Sequence, residues 1–311
     1  MTVQSKLPLT AAETTLVEGF GAQFSYLPGN AEMVTLRDRA MEAIKETGLP
    51  TRKVEAWHYT DLRRLLKDVP AYDGGAVAAD LDGLVAGVSR LVLNNGTIAS
   101  RASIDGLTAT SMADALRADV SGVTLHDHGK HDATGLINSA FVTDGFVLKI
   151  EDGAQIDDPV ELQSLHDGGQ VHTRNLVTVG AGAKATGIDR HAGSAKPVLA
   201  SNVTELTVRK GAEAMWLTVQ EQGDAATHLG QLNVILEEDA KLTLFVVNLS
   251  GQLVRQEINA DVVGEGADLT FRAINLIGGD AHCDVTLSLG HLVPNTDSTE
   301  TVRSVVTGKG Q

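Results

Sequence analysis

A β-solenoid preceded by a short helical segment is the fold this sequence predicts, and three observations carry the prediction. From residue 144 onward a Gly-Ala pair or its equivalent returns at near-constant intervals. The pairs are Gly153-Ala154, Gly182-Ala183, Gly211-Ala212, Asp239-Ala240 and Gly266-Ala267, spaced by 29, 29, 28 and 27 residues. Between them lie short runs rich in Thr, Val and Leu that read as strands. Aromatic residues make up only 4% of a chain that is 42% hydrophobic, so the apolar volume comes from aliphatic side chains. A chain that turns at a fixed period and stacks each coil on the last buries such side chains in rows. Gly supplies the positive φ of a tight corner, and the small Ala after it can tuck inward. A β-sandwich is the rival, but it does not demand a constant period.

The elements follow in order. Thr10-Ala11-Ala12-Glu13 fits a capping box, and Leu16, Val17, Phe20 and Phe24 recur at helical spacing. Asn30 can cap a second helix carrying Met33, Leu36, Ala40 and Ile44, stopped by Gly48 and Pro50. Thr60 is the expected cap of a third, with Leu62, Leu65, Leu66 and Val69. Residues 71–90 are small and Gly/Ala-rich, as a loose connector would be. Then "RLVLNNG" and "FVLKI" read as strands, with "SMADALR" as the one helical insert, capped by Ser111. The strands of the repeat region are "NLVTV", "ELTV", "MWLTV", "LNVIL", "LTLFVVNL", "LTF" and "DVTLSL", and "TGKGQ" resembles one further turn at a longer interval. The division expected is a helical region with linker over 1–85 and a solenoid core over 86–311.

The net charge of −15 argues against nucleic acid as the principal partner. One cysteine, Cys283, permits no internal disulfide. "MTVQSKLPLT" lacks the pattern of a signal peptide, and no apolar run is long enough for a membrane span, so the expected compartment is the cytoplasm.

Chemistry-bearing motifs are weak. There is no P-loop and no strand-linked GxGxxG. His282 and Cys283 are soft-metal ligand types, but neighbours on a strand point to opposite faces, which favours a packed thiol beside an outer imidazole. His126, His128 and His131, with Asp127, lack the fixed spacing of a helical metal motif and read as a polar loop. Asp157-Asp158 and Glu237-Glu238 fall at expected corners; they read as solvated turns, and as paired carboxylates only if a groove lined by Trp216 or Phe stands beside them.

The stretch "RKVEAWHYTDLRRLL" (52–66) sets Trp57, His58 and Tyr59 among charges. Val54, Trp57 and Leu62 can bury, Trp57 and Tyr59 have polar edges that want partners, and Arg52, Glu55, Asp61 and Arg63 can form a rim. With no nucleophile–base pair in it, the stretch reads as a structural junction. It closely resembles the signature segment of the SufB/SufD family. "NSAFVTDGFVLKIEDGAQIDDPVELQSLH" (138–166) and "LVLNNG" followed by "SMADALR" are similar too, and the likeness runs along the chain on the side of the SufD members. The resemblance implies a right-handed parallel β-helix after an N-terminal helical region. It implies a non-catalytic scaffold subunit working with SufB and the SufC ATPase, on a complex that builds iron–sulfur clusters, with no cofactor held by this chain alone. It also implies that the sequence stops short of further coils and a C-terminal helical region that docks SufC, so no family site residue carries over. A homodimer is left open. A β-helix carbohydrate enzyme is the alternative function, and an adhesive solenoid a third.

Overall fold

Two sheets wound from one strip of chain form the body of the protein in the computed structural model, which describes residues 8–74, 77–118, 120, 122–125, 129 and 131–311. Helix α1 (Ala11–Gln23) opens on the expected capping box, with Thr10 Oγ1 accepting from Glu13 N at 3.2 Å and Glu13 Oε2 accepting from Thr10 N at 2.6 Å. Helix α2 (Ala31–Thr47) is capped by Asn30 and stops at Gly48, whose φ is 68°. The third helix differs from expectation: α3 (Leu62–Leu65) is a single turn, and its cap is Asp61, whose side chain accepts from Arg64 N. Thr60 is engaged elsewhere.

Strands β1 (Ser89–Asn94), β2 (Thr97–Arg101) and β3 (Leu107–Ser111) lead to α4 (Met112–Ala118), where Ser111 Oγ accepts from Asp114 N at 3.1 Å. A helix the sequence did not announce follows, α5 (Ala133–Phe141). All nine of its residues are buried, and its polar positions Thr134, Asn138 and Ser139 meet protein instead of water, as where Asn138 Nδ2 donates to Thr173 O at 2.8 Å.

The coils are built from β4 (Phe146–Ile150), β5 (Val160–His166), β6 (Gly169–Val179), β7 (Lys184–Gly193), β8 (Val198–Val208), β9 (Glu213–Gln220), β10 (Ala226–Leu236), β11 (Lys241–Asn248), β12 (Leu253–Val262), β13 (Asp268–Ile277), β14 (His282–His291) and β15 (Asp297–Val306). Among the described residues the odd sheet runs β15-β13-β11-β9-β7-β5-β1-β2 and the even sheet β14-β12-β10-β8-β6-β4-β3. From β4 onward neighbours are parallel and partners lie one coil apart, as in Leu232 opposite Ile258 and Thr204 opposite Leu232. This is a parallel β-solenoid of about six turns.

The corner from even to odd strands is the repeated Gly-Ala phrase. Gly153, Gly182, Gly211, Asp239 and Gly266 all have positive φ, from 56° to 76°. Their amides climb the stack: Gly182 N donates to Lys210 O at 2.9 Å, Gly211 N to Glu238 O at 2.8 Å, Asp239 N to Glu265 O at 2.9 Å. The next member is Asn295, φ 56°, whose carbonyl accepts from Gly266 N at 2.8 Å. Asn and Asp tolerate this conformation, so a search for Gly-Ala passes over Asn295. "TGKGQ" turns at the opposite edge, where Lys309 N donates to Gly279 O at 2.6 Å.

Strand register separates the interior into two halves. Beside the Gly-Ala corner it is aliphatic, with Val177, Leu206, Val234 and Ala260 in one row and Ala185, Ala214, Leu242 and Leu269 facing them. Toward the other edge it turns polar: Ser164, His191, Gln220, Asn248, Asn275 and Ser304 form one column. Asn248 Nδ2 donates to Asn275 Oδ1 at 2.8 Å and Asn275 Nδ2 to Ser304 Oγ at 3.1 Å.

The two outer faces are treated differently. Leu16, Phe20, Ile44 and Trp57 share a core with Leu136 and Ile137 of α5 and with Leu199, Leu229 and Leu253 of the even sheet, so the helices cover that sheet. The connector expected to be loose is instead a strap over the start of the odd sheet. Leu84 N donates to Glu161 Oε2 at 2.7 Å and Arg190 reaches Asp82 O at 2.8 Å.

Candidate functional site

The densest polar cluster on the covered face is where the 52–66 segment meets the late coils. Trp57 is fully buried; its Nε1 donates to His131 O at 3.0 Å and its ring lies 4.0 Å from the Arg255 guanidinium. Register stacks Arg255 of β12 against Asp284 of β14. Arg255 Nε donates to Glu257 Oε1 at 2.8 Å, and the same guanidinium binds Asp284 and the Ala56 carbonyl. Thr60 Oγ1 donates to Asp284 and lies 2.8 Å from His282 Nε2. Gln231 bridges Asp132 Oδ1, at 2.9 Å, to Glu257 Oε2, at 3.4 Å. Burial pushes the Glu257 carboxyl up, while Arg255 pulls it back down.

This cluster places most of the signature stretch as expected. Val54 packs beside a core that holds Trp57 and Leu62. Arg63 pairs with Glu13 at 3.2 Å, a contact that also ties α1 to the segment. Tyr59 is the exception: it is 73% exposed, with its ring edge-on to His58. The chemistry available here is fixation, a charge-assisted and stacked lock between residues about 200 positions apart in sequence.

The residues singled out from sequence lie apart. His282 faces outward onto Thr60, and burial lowers its proton affinity against the pull of Asp284. Cys283 faces inward, in the row of Ala200, His228 and Val254, and lines a 360 Å³ cleft with Asn248, Gly251 and Gly279. Burial, reinforced by Asp284, pushes its thiol up to about 12. His126, Asp127 and His128 lie outside the described residues; His131 contributes its carbonyl to Trp57. Among the described residues no three His, Cys, Asp or Glu side chains are grouped to hold a metal ion. Asp157 and Asp158 are exposed on the β4–β5 turn, and Glu238 pairs with Lys210 at 2.8 Å. Trp216 points into the solenoid, where a Cβ at Gly187 would strike its ring, so it offers no platform for a sugar.

Arg255, Glu257 and Asp284 went unnoticed in the sequence. The signal was there: Arg255 and Glu257 two apart share a strand face, and the coil period carries Arg255 to Asp284. Four buried histidines also escaped notice, His172 beside Ser201 and the other three together. His191 lies 3.1 Å from Asp189, its ring 5.0 Å from that of His228, and His166 closes the same edge.

Both the helical region and the coils of the chain are similar in sequence to known proteins. The family model for the SUF system FeS cluster assembly SufBD core domain matches residues 162–311, and that for the SufBD protein N-terminal region matches 24–73. The iron–sulfur cluster assembly protein SufD of Escherichia coli is 22% identical over 294 residues, 87% of this chain and 66% of the relative. The iron–sulfur cluster assembly protein SufB of Bacillus subtilis is 26% identical over 177 residues, 54% of this chain and 37% of the relative. The chain therefore spans between about a third and two thirds of the length of these curated relatives.

Proposed function

The chain belongs to the SufB/SufD family of iron–sulfur cluster assembly proteins, and from that premise we propose that it serves as a non-catalytic scaffold subunit of a SUF-type complex in the cytoplasm. Its partners in this reading are a SufB-type subunit and a SufC-type ATPase, and the iron–sulfur cluster is the cargo of the assembly.

One observation carries the scaffold role. The Trp57 ring and indole N–H, the Thr60 hydroxyl and the Ala56 carbonyl are all engaged by the late coils or by His131. A segment used this way fixes a rigid surface. The alignment with a SufD over most of the chain favours the SufD-type place in the complex. Among the described residues no helix is long and apolar enough to cross a membrane, which is compatible with that setting.

The test is co-expression of this chain with the SufB-type and SufC-type subunits of its own organism, followed by size-exclusion chromatography with light scattering. The expected result is one complex containing all three, in which ATP hydrolysis depends on the SufC-type subunit. Failure of this chain to join either subunit, or ATP hydrolysis by this chain alone, would overturn the proposal.

A further inference from the structure

The edge opposite the Gly-Ala corners holds the 360 Å³ cleft that Cys283 lines, and the scaffold role makes no use of it. The cleft opens between the turn after β11 (249–252) and the turn after β13 (278–281). Asn248, Val254 and Cys283 line it from inward-facing positions, so it reaches the solenoid interior. Asn248 is 2% exposed, and Gln220, its neighbour in the inward column, is fully buried. Asn248 donates its Nδ2 to Asn275 Oδ1 at 2.8 Å, while its own Oδ1 has no hydrogen-bond partner among the described residues. Gln220 Oε1 has none either, and its carboxamide lies against the cleft wall, where a Cβ at Gly251 would stand 3.2 Å from Nε2. Buried amide oxygens are nearly always paired, so two unpaired acceptors beside one cleft suit a ligand that brings donors.

The rest of the lining fixes the kind of donor. Val254 and Ile277 make apolar walls, and the carboxylates of Asp224 and Asp280 stand exposed at the mouth. No Lys, Arg or His lines the cleft. Cys283 adds no charge at neutral pH, because burial keeps its thiol protonated. From this arrangement we propose that the cleft binds a short linear aliphatic diamine in its doubly protonated form. One ammonium group donates to Asn248 Oδ1 and Gln220 Oε1. The methylene chain lies between Val254 and Ile277, and the second ammonium group meets Asp224 and Asp280. An anion is repelled by that mouth and by a net charge of −15. A bare inorganic cation leaves the apolar walls unfilled, and an uncharged diol forgoes the attraction of the carboxylates. For a ligand of about six heavy atoms at half the best efficiency, the dissociation constant is roughly 0.5 mM. The inference does not depend on the SUF assignment.

The experiment is isothermal titration of the full chain with putrescine at pH 7.5 and low salt, with 1,4-butanediol and potassium chloride titrated beside it. Putrescine should bind at one site, about tenfold or more tighter than either of the other two probes. Asp224→Asn and Asp280→Asn change exposed positions and leave the fold intact; each should weaken binding about threefold. Asn248→Leu removes the deep acceptor and should weaken binding about tenfold, with circular dichroism as the check on its fold. Amide spectra of the ¹⁵N-labelled wild type locate the site without any variant: the Gly251 and Gly279 signals should shift with the midpoint of the titration. No binding up to 10 mM, equal affinity for butanediol or potassium, or a folded Asn248→Leu that binds unchanged would each overturn the proposal. So would binding that leaves both glycine signals in place and survives the aspartate changes, which is an amine spread over the general acidic surface.

Discussion

Replacing Arg255 with Met keeps the aliphatic stem and removes only the guanidinium. The guanidinium binds the Glu257 and Asp284 carboxylates and the Ala56 carbonyl, and it stacks on Trp57 at 4.0 Å. Its loss strands two carboxylates in a site that is otherwise closed. Removing one partner from a buried ion pair costs about 3–5 kcal/mol, and the lost stacking adds to that. A total of about 4 kcal/mol, with a urea slope of about 3 kcal/mol per molar, moves the unfolding midpoint down by roughly 1.3 M. The deficit should depend on pH. Without Arg255, burial holds the Glu257 carboxyl above its unfolded value, so the penalty is fully present above the raised value and disappears as pH falls toward about 4.3, where the unfolded carboxyl also takes a proton. The triple variant Arg255→Met, Glu257→Gln, Asp284→Asn removes the stranded charges and should recover most of the loss. Urea titrations of wild type, single and triple variants at pH 7.5 and 4.5 decide the matter. A single-variant loss below about 1 kcal/mol, or a triple variant no better than the single, would show that the cluster does not act as a charge-dependent lock.

Other predictions follow from the same structure. Burial pushes His166 down to about 4 and His172 to about 3, so the unfolded chain binds their protons first and stability falls as pH drops below about 6.5. His166 alone should withdraw roughly 3 kcal/mol by pH 4, measurable as a falling urea midpoint, and His166→Gln should flatten that slope. At the corners, Gly182→Ala and Gly211→Ala should each cost about 1 kcal/mol from positive φ alone, because open space surrounds both positions. Cys283, with its thiol pushed up to about 12, should react with iodoacetamide at pH 8 on the order of a thousandfold more slowly in the folded protein than in urea. Mass spectrometry of quenched samples reads both rates.

Much of the fold was legible because its corners obey a stereochemical rule. Positive φ at every coil confined the choice to Gly and Asp at five successive positions, and that regularity outweighed the ambiguity of each short strand. It failed at Asn295, where a different residue meets the same requirement. Helix α5 was hidden for a different reason: it is only nine residues long, and its polar positions Thr134, Asn138 and Ser139 are buried against protein instead of facing water. Thr60 looked like a cap because local sequence cannot reveal a partner such as Asp284, 224 residues away. The candidate site suffered most from that limit. His282 and Cys283 drew attention as adjacent ligand types, yet the sheet sends them to opposite sides. Arg255 looked like an ordinary strand residue until the coil period aligned it with Asp284.

The span of the Trp57–Arg255 lock has a consequence for biogenesis. Neighbouring coils meet across fewer than thirty residues, so each can settle soon after it is made. The amino-terminal arm must wait for the strands at 253–262 and 282–291 before its aromatic key finds a keyhole. Closure of the arm is therefore a late checkpoint, reporting that the winding has advanced far enough, in register, to receive it.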